Sequence, residues 1–258
     1  WVGELYLEYH RGTLTTQALT KKGNRKLEQK LRDVEFICSC LPLGKYPAKE
    51  LDFIWKKLLL NHFHDILPGS SIHKVYETTQ KEHAECLEKC NELVAEAGKQ
   101  LFEKDSGRLV MSNCLSYPFN GVVELPKGLD CGLMDENGNE ILVQKEGRKT
   151  VALVEIPAQG FKVFEKSGKA PEGEAASGAL VLENELIRYE FEKDGTIRRI
   201  FDKECGREVL ERNGRGNLFS LYKDRPAAHD AWDIDIYYEK CLLENAKSVK
   251  AEKIPGGF

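Results

Sequence analysis

The stretch LLLNHFHDILPGSSI, residues 58–72, is the most informative part of this chain. An apolar helical run enters it, and a Pro-Gly pair ends the helix before two serines that suit the start of the next one. Between these points stand His62, His64 and Asp65. An imidazole and a carboxylate beside a chain reversal are typical of a metal or sugar site. If the helix continues through His64 and Asp65, their side chains diverge by about 100°, and other ligands must come from elsewhere.

The sequence on both sides of this stretch has helical periodicity. Apolar residues recur every three or four positions over residues 27–41, and a second run of this kind follows Pro47 and extends to Phe63. A third apolar face covers residues 72–101, with Glu and Lys on the other faces. These patterns predict a three-helix bundle within residues 18–105.

From residue 108 onward the apolar residues alternate with a period of two. Turn signals such as Asn137-Gly138 and Asp194-Gly195 recur along this part of the chain. A segment rich in Gly, Ala, Glu and Ser at residues 167–178 is typical of a linker. We therefore predict an α+β chain in which antiparallel β-sandwich units follow the bundle: a small unit at residues 106–170 and the start of a second domain at 171–258.

Composition excludes several classes of protein. The net charge is −4 over 258 residues, and no Lys/Arg block is interleaved with aromatic residues, so we expect no nucleic-acid partner. The apolar runs are far shorter than the roughly 20 residues that a membrane span needs, so we expect no membrane partner. Eight cysteines are scattered without a CxxC pair, which favours reduced thiols and argues against a zinc–thiolate site. Cys86 and Cys90 are predicted to be small core residues.

Two long motifs resemble a known enzyme family. Residues 58–72, together with GELYLEYHRGTLTTQALTKKGNRKLE at residues 3–28, closely resemble the class II α-mannosidases of glycoside hydrolase family 38. The bacterial and cytosolic branch is the most similar, which implies a cytoplasmic enzyme. The resemblance is weaker over residues 112–126 and 183–210, and it is sharp again in DRPAAHDAWDID at residues 224–235.

The resemblance implies a retaining glycosidase that removes α-linked mannose from oligosaccharides. Such a mechanism needs two carboxyl groups about 5 Å apart, and the family also binds a divalent metal, usually zinc. Both catalytic aspartates and three of the four protein metal ligands of the family belong to an N-terminal (β/α)7 barrel. We expect residues 1–17 to be only the end of that barrel and its connection. This chain alone is therefore expected to supply no catalytic residue and to be inactive.

The family's fourth metal ligand is the histidine that precedes Asp in the helix-end motif, and it corresponds to His64. A neutral imidazole suits zinc. The next residue, Asp65, corresponds to a carboxylate that accepts hydrogen bonds from mannose hydroxyls. His62 stands where many relatives carry Gln, so we interpret it as a neighbour of the site.

Three further residues are predicted on the substrate side: Trp1, Arg225 and Trp232. Trp1 resembles an aromatic residue of the family's sugar pocket, with simple hydrophobic packing as the alternative. The segment 224–235 combines charged groups with an indole, which suits sugar recognition and suits a domain interface equally well. Its Asp233 and Asp235 face the same way if the segment is a strand, but the family's catalytic pair lies elsewhere.

Two other functions remain open from the residues alone. The bundle and β units could form a non-catalytic scaffold or carbohydrate-binding module. A separate metalloenzyme built on His62, His64 and His73 is the weakest alternative, because no H-E-x-x-H pattern supplies a base with two ligands. The mannose linkage, and whether the parent enzyme is a homo-oligomer, stay open.

Overall fold

The computed structural model describes residues 10–146, 148–168, 179–246 and 251. Three helices come first: α1 (Ala18–Ser39), α2 (Ala48–Asn61) and α3 (His73–Leu101). Antiparallel strands follow, which confirms the predicted α+β class. The described strands are β1 (Arg108–Asn113), β2 (Phe119–Glu124), β3 (Gly132–Met134), β4 (Glu140–Ile141), β5 (Val143–Glu146), β6 (Lys149–Ile156), β7 (Gly160–Ser167), β8 (Val181–Glu183), β9 (Ile187–Phe191), β10 (Ile197–Asp202), β11 (Arg207–Glu208), β12 (Phe219–Tyr222) and β13 (Leu242–Ala246).

The three helices share one apolar core. The predicted face of α1 is buried, and Leu27, Leu31 and Val34 have no exposed surface. Burial of such side chains stabilises the fold by about 1.5–3 kcal/mol each. The apolar face of α2 is narrower than predicted, because Leu59 and Phe63 are more than half exposed. Phe63 lies beyond the last helical residue, so it leaves the face on which Leu58 is buried.

The inner face of α3 is more polar than the sequence suggested. Tyr76, Thr79 and His83 are buried in its first half, and Cys86 and Cys90 follow them. Both cysteines are free thiols in the core, as predicted. Burial raises the pKa of Cys90 to about 11, so this thiol stays protonated and unreactive at neutral pH.

The first β unit is built from two antiparallel sheets. Their strand orders are β1-β7-β3-β4 and β2-β6-β5. Alternate residues of β6 face the interior, and with Leu133, Val143 and Phe164 they form a second core. Phe161 of β7 stacks on Phe36 of α1 with ring centroids 5.5 Å apart, so this unit packs directly against the bundle.

The second β unit contains a four-stranded sheet of order β11-β10-β9-β8 and the two-stranded ribbon β12-β13. The Asp194-Gly195 turn joins β9 to β10 as predicted, with Gly195 at φ +81°. In the part of the chain that the structure describes, no helix is long and apolar enough to cross a membrane. The predicted domain boundaries near residues 17, 105 and 170 stay predictions.

Candidate functional site

The candidate site lies on the turn that follows α2, residues 62–71, here named the His-Asp turn. Helix α2 ends at Asn61 with His62 as its C-cap. The prediction that the helix continues through His64 and Asp65 is therefore wrong. Both residues lie in the turn that follows α2, and their side chains approach each other there. His64 Nε2 is 3.7 Å from Asp65 Oδ2. The His64 side chain is 76% exposed, so the imidazole is presented at the surface.

Hydrogen bonds from the next segment hold Asp65 in place. Its carbonyl accepts from Ser71 Oγ at 2.6 Å and from the Tyr76 hydroxyl at 3.2 Å. The same Tyr76 oxygen accepts the backbone N–H of Ser71 at 2.7 Å. The carboxylate Oδ1 accepts from Ser70 Oγ at 3.0 Å. The Asp65 backbone is thus fixed from inside, while its side chain stays partly exposed.

Asn61, the last residue of α2, is tied to α3. Its Oδ1 accepts from Thr79 Oγ1 at 2.8 Å, and its Nδ2 donates to Glu82 Oε2 at 3.3 Å. Glu82 also pairs with Lys57 at 2.6 Å. Burial alone would raise the pKa of Glu82, but the hydrogen bonds from Lys57 and Asn61 outweigh it and lower that pKa. The start of the His-Asp turn is therefore anchored by a charged network.

A second buried polar group lies between α1 and α3. The imidazole of His83 packs on Gly23, where an added Cβ would come within 2.4 Å of its Nδ1. Burial lowers the pKa of His83, so the ring is neutral at pH 7. His62 Nε2 lies 3.3 Å from Glu28 Oε1, but the contact lacks hydrogen-bond geometry. His62 therefore lies next to Glu28 of α1, and its interpretation as a neighbour of the site stays a prediction.

The other end of the His-Asp turn is fixed by Lys21 of α1. Its ammonium donates to the Leu67 carbonyl at 2.7 Å, to the Pro68 carbonyl at 3.3 Å and to the Thr16 carbonyl. Burial lowers the pKa of Lys21. Gly69 adopts φ +105°, and an added Cβ would lie 2.6 Å from Thr16 Cγ2. Only glycine fits this approach without strain.

Residues 224–235, here named the Trp232 loop, reach the segment that precedes α1. The Gly12 N–H donates to the Trp232 carbonyl at 2.7 Å, and the His10 and Trp232 rings lie 5.5 Å apart. Thr16 Oγ1 lies 2.9 Å from the Ala231 carbonyl. Because Thr16 also contacts Gly69, the structure brings the Trp232 loop next to the His-Asp turn.

Arg225 and the acidic residues of this loop are placed differently from Trp232. Arg225 lines an open cleft of about 260 Å³ with Tyr237 and Tyr238, and no residue of the His-Asp turn lines it. Asp233 is buried. Asp235 Oδ2 accepts the Ala227 N–H at 2.7 Å. The segment is a loop and not a strand, so these carboxylates do not form a same-side pair.

The remaining predictions for the site concern Trp1 and the metal. Trp1 lies outside the described residues. Among the described residues, no group of three or more His, Cys, Asp or Glu side chains could hold a metal ion. The chemistry of an exposed imidazole beside a carboxylate fits one zinc ligand, and the structure described here offers no complete ligand set. His73 lies on α3, 3.4 Å from Glu77.

Sequence reasoning missed the residues that hold the site together: Tyr76, Asn61, Lys21 and Thr16. Their roles depend on contacts between separate segments, and nothing in their local pattern marks them. An open cleft of about 430 Å³ lies between α2 and α3 and is lined by Phe53, Lys57 and Glu85 among others. No residue of the His-Asp turn lines it.

Comparison with known proteins identifies two family domains in the chain. Residues 8–101 match the "Alpha mannosidase middle domain", and residues 182–257 match the "Glycosyl hydrolases family 38 C-terminal domain". The His-Asp turn lies in the first match and the Trp232 loop in the second. Both parts of the candidate site therefore lie within the matched ranges.

Curated relatives and a solved structure agree with these matches. Alpha-mannosidase 2C1 of Mus musculus is 33% identical over 96% of this chain, and the alpha-mannosidase of Saccharomyces cerevisiae is 31% identical over 92% of it. The chain spans 23% and 20% of those two proteins, about a quarter or less of their length. An alpha-mannosidase from Enterococcus faecalis V583 matches 83% of this chain and 34% of its own, with TM-score 0.57 and 20% identity, which shows a shared fold.

Proposed function

This chain belongs to glycoside hydrolase family 38, and from that premise we propose that it is part of a zinc-dependent, retaining α-mannosidase that removes α-linked mannose from glycans. The observation that supports this most directly is the His-Asp turn. It presents an imidazole and a carboxylate at the surface, 3.7 Å apart, on a backbone that Tyr76 and Lys21 hold from inside. A surface turn with this many internal hydrogen bonds is built to place side chains accurately.

We assign His64 as one protein ligand of the metal. Its side chain is exposed, so it is available to an ion that other parts of the enzyme also hold. When bound, zinc stabilises negative charge and orients hydroxyl groups of the sugar. The other ligands, and both catalytic carboxylates, are assigned to parts of the enzyme that the relatives carry outside the matched segments.

Asp65 is assigned to the substrate. One carboxylate oxygen is held by Ser70, while the side chain is 45% exposed. A carboxylate is an acceptor only, so it suits the hydroxyl groups of mannose. Trp232 and Trp1 are proposed to contribute aromatic surface for the C–H face of the sugar. We also propose a cytoplasmic location, which the eight free cysteines support.

Three variants of the full-length enzyme test this assignment. His64→Ala should lower metal content and activity together, whereas His62→Ala should leave most of the metal in place. Asp65→Ala should retain metal but lose roughly 2–4 kcal/mol of transition-state stabilisation in kcat/KM. Metal analysis paired with kinetics separates the roles. A His64→Ala enzyme with full metal content and normal turnover would contradict the proposal.

The isolated chain should not hydrolyse an aryl α-mannoside at any zinc concentration, because the catalytic carboxylates are assigned elsewhere. Turnover by the pure chain would mean that the catalytic pair lies within residues 1–258. A second candidate function, a carbohydrate-binding or scaffold module, is favoured by the cleft that Arg225 shares with Tyr237 and Tyr238. Calorimetric titration of the chain with a mannose oligosaccharide tests it, and loss of binding in Arg225→Ala would support it.

A further inference from the structure

We propose that Thr16 is a positioning residue that sets the His-Asp turn relative to the Trp232 loop, so that one side chain aligns two parts of the mannose site. This inference rests on the proposed function for its catalytic consequence. Thr16 lies just before α1 and touches neither sugar nor metal in this proposal. It acts through the segments that it joins.

The hydroxyl of Thr16 is hydrogen-bonded to the Trp232 loop. Thr16 Oγ1 lies 2.7 Å from the Gly12 carbonyl and 2.9 Å from the Ala231 carbonyl. A threonine hydroxyl has one proton, so the two carbonyls share it. Gly12 in turn donates its N–H to the Trp232 carbonyl at 2.7 Å. An added Cβ on Gly12 would lie 2.9 Å from that carbonyl, so the two backbones are already at contact distance.

The methyl group of Thr16 packs against the His-Asp turn. It lies against Gly69, where an added Cβ would be only 2.6 Å from Thr16 Cγ2. The Thr16 carbonyl accepts from the Lys21 ammonium, which also donates to the Leu67 and Pro68 carbonyls. The backbone of Thr16 and the end of the turn are thus held by the same cation.

The hydroxyl and methyl groups of Thr16 can be removed separately by substitution. Thr16→Val keeps a methyl against Gly69 and loses the hydroxyl, while Thr16→Ser keeps the hydroxyl and loses the methyl. Thr13→Val is a matched control, because Thr13 Oγ1 donates to the His10 carbonyl at 2.6 Å in the same segment and is not hydrogen-bonded to the Ala231 carbonyl.

Hydrogen exchange on the chain of residues 1–258 gives the first readout. Thr16→Val should speed exchange of the Gly12, Trp232 and Asp233 amides roughly five- to tenfold, the loss expected for one hydrogen bond. Thr16→Ser should keep the protection of these amides and speed exchange at Gly69 instead. Thr13→Val should change neither. Unchanged exchange in Thr16→Val, or equal acceleration in Thr13→Val, overturns the proposal.

Kinetics of the full-length enzyme give the second readout. Thr16→Val should lower kcat/KM for an aryl α-mannoside roughly tenfold with metal content unchanged, and Thr16→Ser should recover most of the loss. Faster exchange with unaltered kcat/KM in an active enzyme also overturns the positioning role. If the full-length protein is not a mannosidase, the exchange experiment still decides whether Thr16 joins the two segments, so the two failures are distinguishable.

Discussion

The helical bundle and the second β unit reach stability by different means. In the bundle the buried side chains are mainly apolar, with Leu27, Leu31 and Leu58 fully inaccessible. In the described residues 179–246, the buried side chains are instead polar: Glu190, Thr196 and Asp233. Large apolar side chains such as Phe219 and Leu243 are more than half exposed there. The difference in buried side chains follows from how the elements are layered. Three helices cover one another's apolar faces, whereas a single sheet cannot enclose an apolar core.

Charge takes the place of apolar burial in the second β unit. Glu190 of β9 accepts hydrogen bonds from Arg188, Arg198 and Arg199. The pKa of Glu190 falls to about 2, mainly because of the hydrogen bonds from Arg198 and Arg188. The bundle should therefore respond mainly to lost side-chain volume, and the second β unit to lost charge.

The largest effect is expected in the core of the bundle. Leu31→Ala removes a side chain with no exposed surface and should lower the free energy of unfolding by about 3 kcal/mol. Leu182→Ala in β8, at a side chain that is 49% exposed, should cost less than about 1 kcal/mol. Hydrogen exchange resolved by peptide measures both, with α1 and α3 as reporters for Leu31→Ala and β8 and β9 as reporters for Leu182→Ala. Equal losses in the two variants would contradict the difference between the regions.

The next effect concerns Glu190. Glu190→Gln should destabilise the β8–β11 sheet by about 2 kcal/mol, since charged hydrogen bonds to three arginines are lost. The exposed pair of Glu192 with Arg215, at 3.0 Å, provides the control, and Glu192→Gln should cost under about 0.5 kcal/mol.

The same group predicts a dependence on pH. A carboxyl with a depressed pKa stabilises the folded state fully above its ordinary value of 4.5 and loses that contribution as the pH falls through about 2. Acid unfolding of β9 and β10 should therefore occur in this window in the parent chain. In the Glu190→Gln chain the free energy of unfolding should depend less on pH over this window. An identical acid transition in the two chains would argue against the role of Glu190.

A smaller effect with a different pH window is expected in the bundle. Burial holds the pKa of His83 below its ordinary value of 6.5, so the neutral ring is favoured in the folded state. Its contribution is complete above pH 6.5 and is lost as the pH falls through the lower folded pKa, by at most about 1.4 kcal/mol per pH unit. His83→Gln should remove this slope. His73→Gln, at a side chain that is 87% exposed, should keep it.

The smallest effect is expected on the β12–β13 ribbon. Phe219→Thr replaces a side chain that is 68% exposed, so the free energy of unfolding of this chain should change by less than about 0.5 kcal/mol. Denaturant titration of the purified variant checks this. A loss comparable to that of Leu31→Ala would show that the ribbon is covered in solution.

The elements themselves could be predicted from sequence where one pattern dominates. The three- and four-residue spacing of Leu27, Leu31 and Val34 predicted the buried face of α1 correctly. The prediction failed where a helix had to end, because Leu59 and Phe63 continue the apolar pattern although α2 stops at Asn61. Helix ends depend on hydrogen bonds to other segments, here from Asn61 to Glu82 and from Thr79 to Asn61.

The sequence could predict which residues form the candidate site but not how their side chains are arranged. The motif drew attention to His64 and Asp65, but it did not show that α2 ends at Asn61 and that the two side chains meet in the turn that follows. The inner supports Tyr76 and Lys21 have no local signature, because a tyrosine on an amphipathic helix or a lysine near a helix start is common on protein surfaces. Their importance appears only when they meet the carbonyls of Asp65, Leu67 and Pro68.

The sequence by itself determined the α+β class, the helical and strand periods, the buried face of α1 and the family motifs, since these depend on the order of residues within one segment. Only the tertiary structure decided that Thr16 lies between Gly69 and Ala231. These three residues are far apart along the chain, and the contact depends on how whole elements pack. A local sequence pattern determines whether a segment is a helix or a strand, whereas the distance between segments is set by the packing of the complete fold.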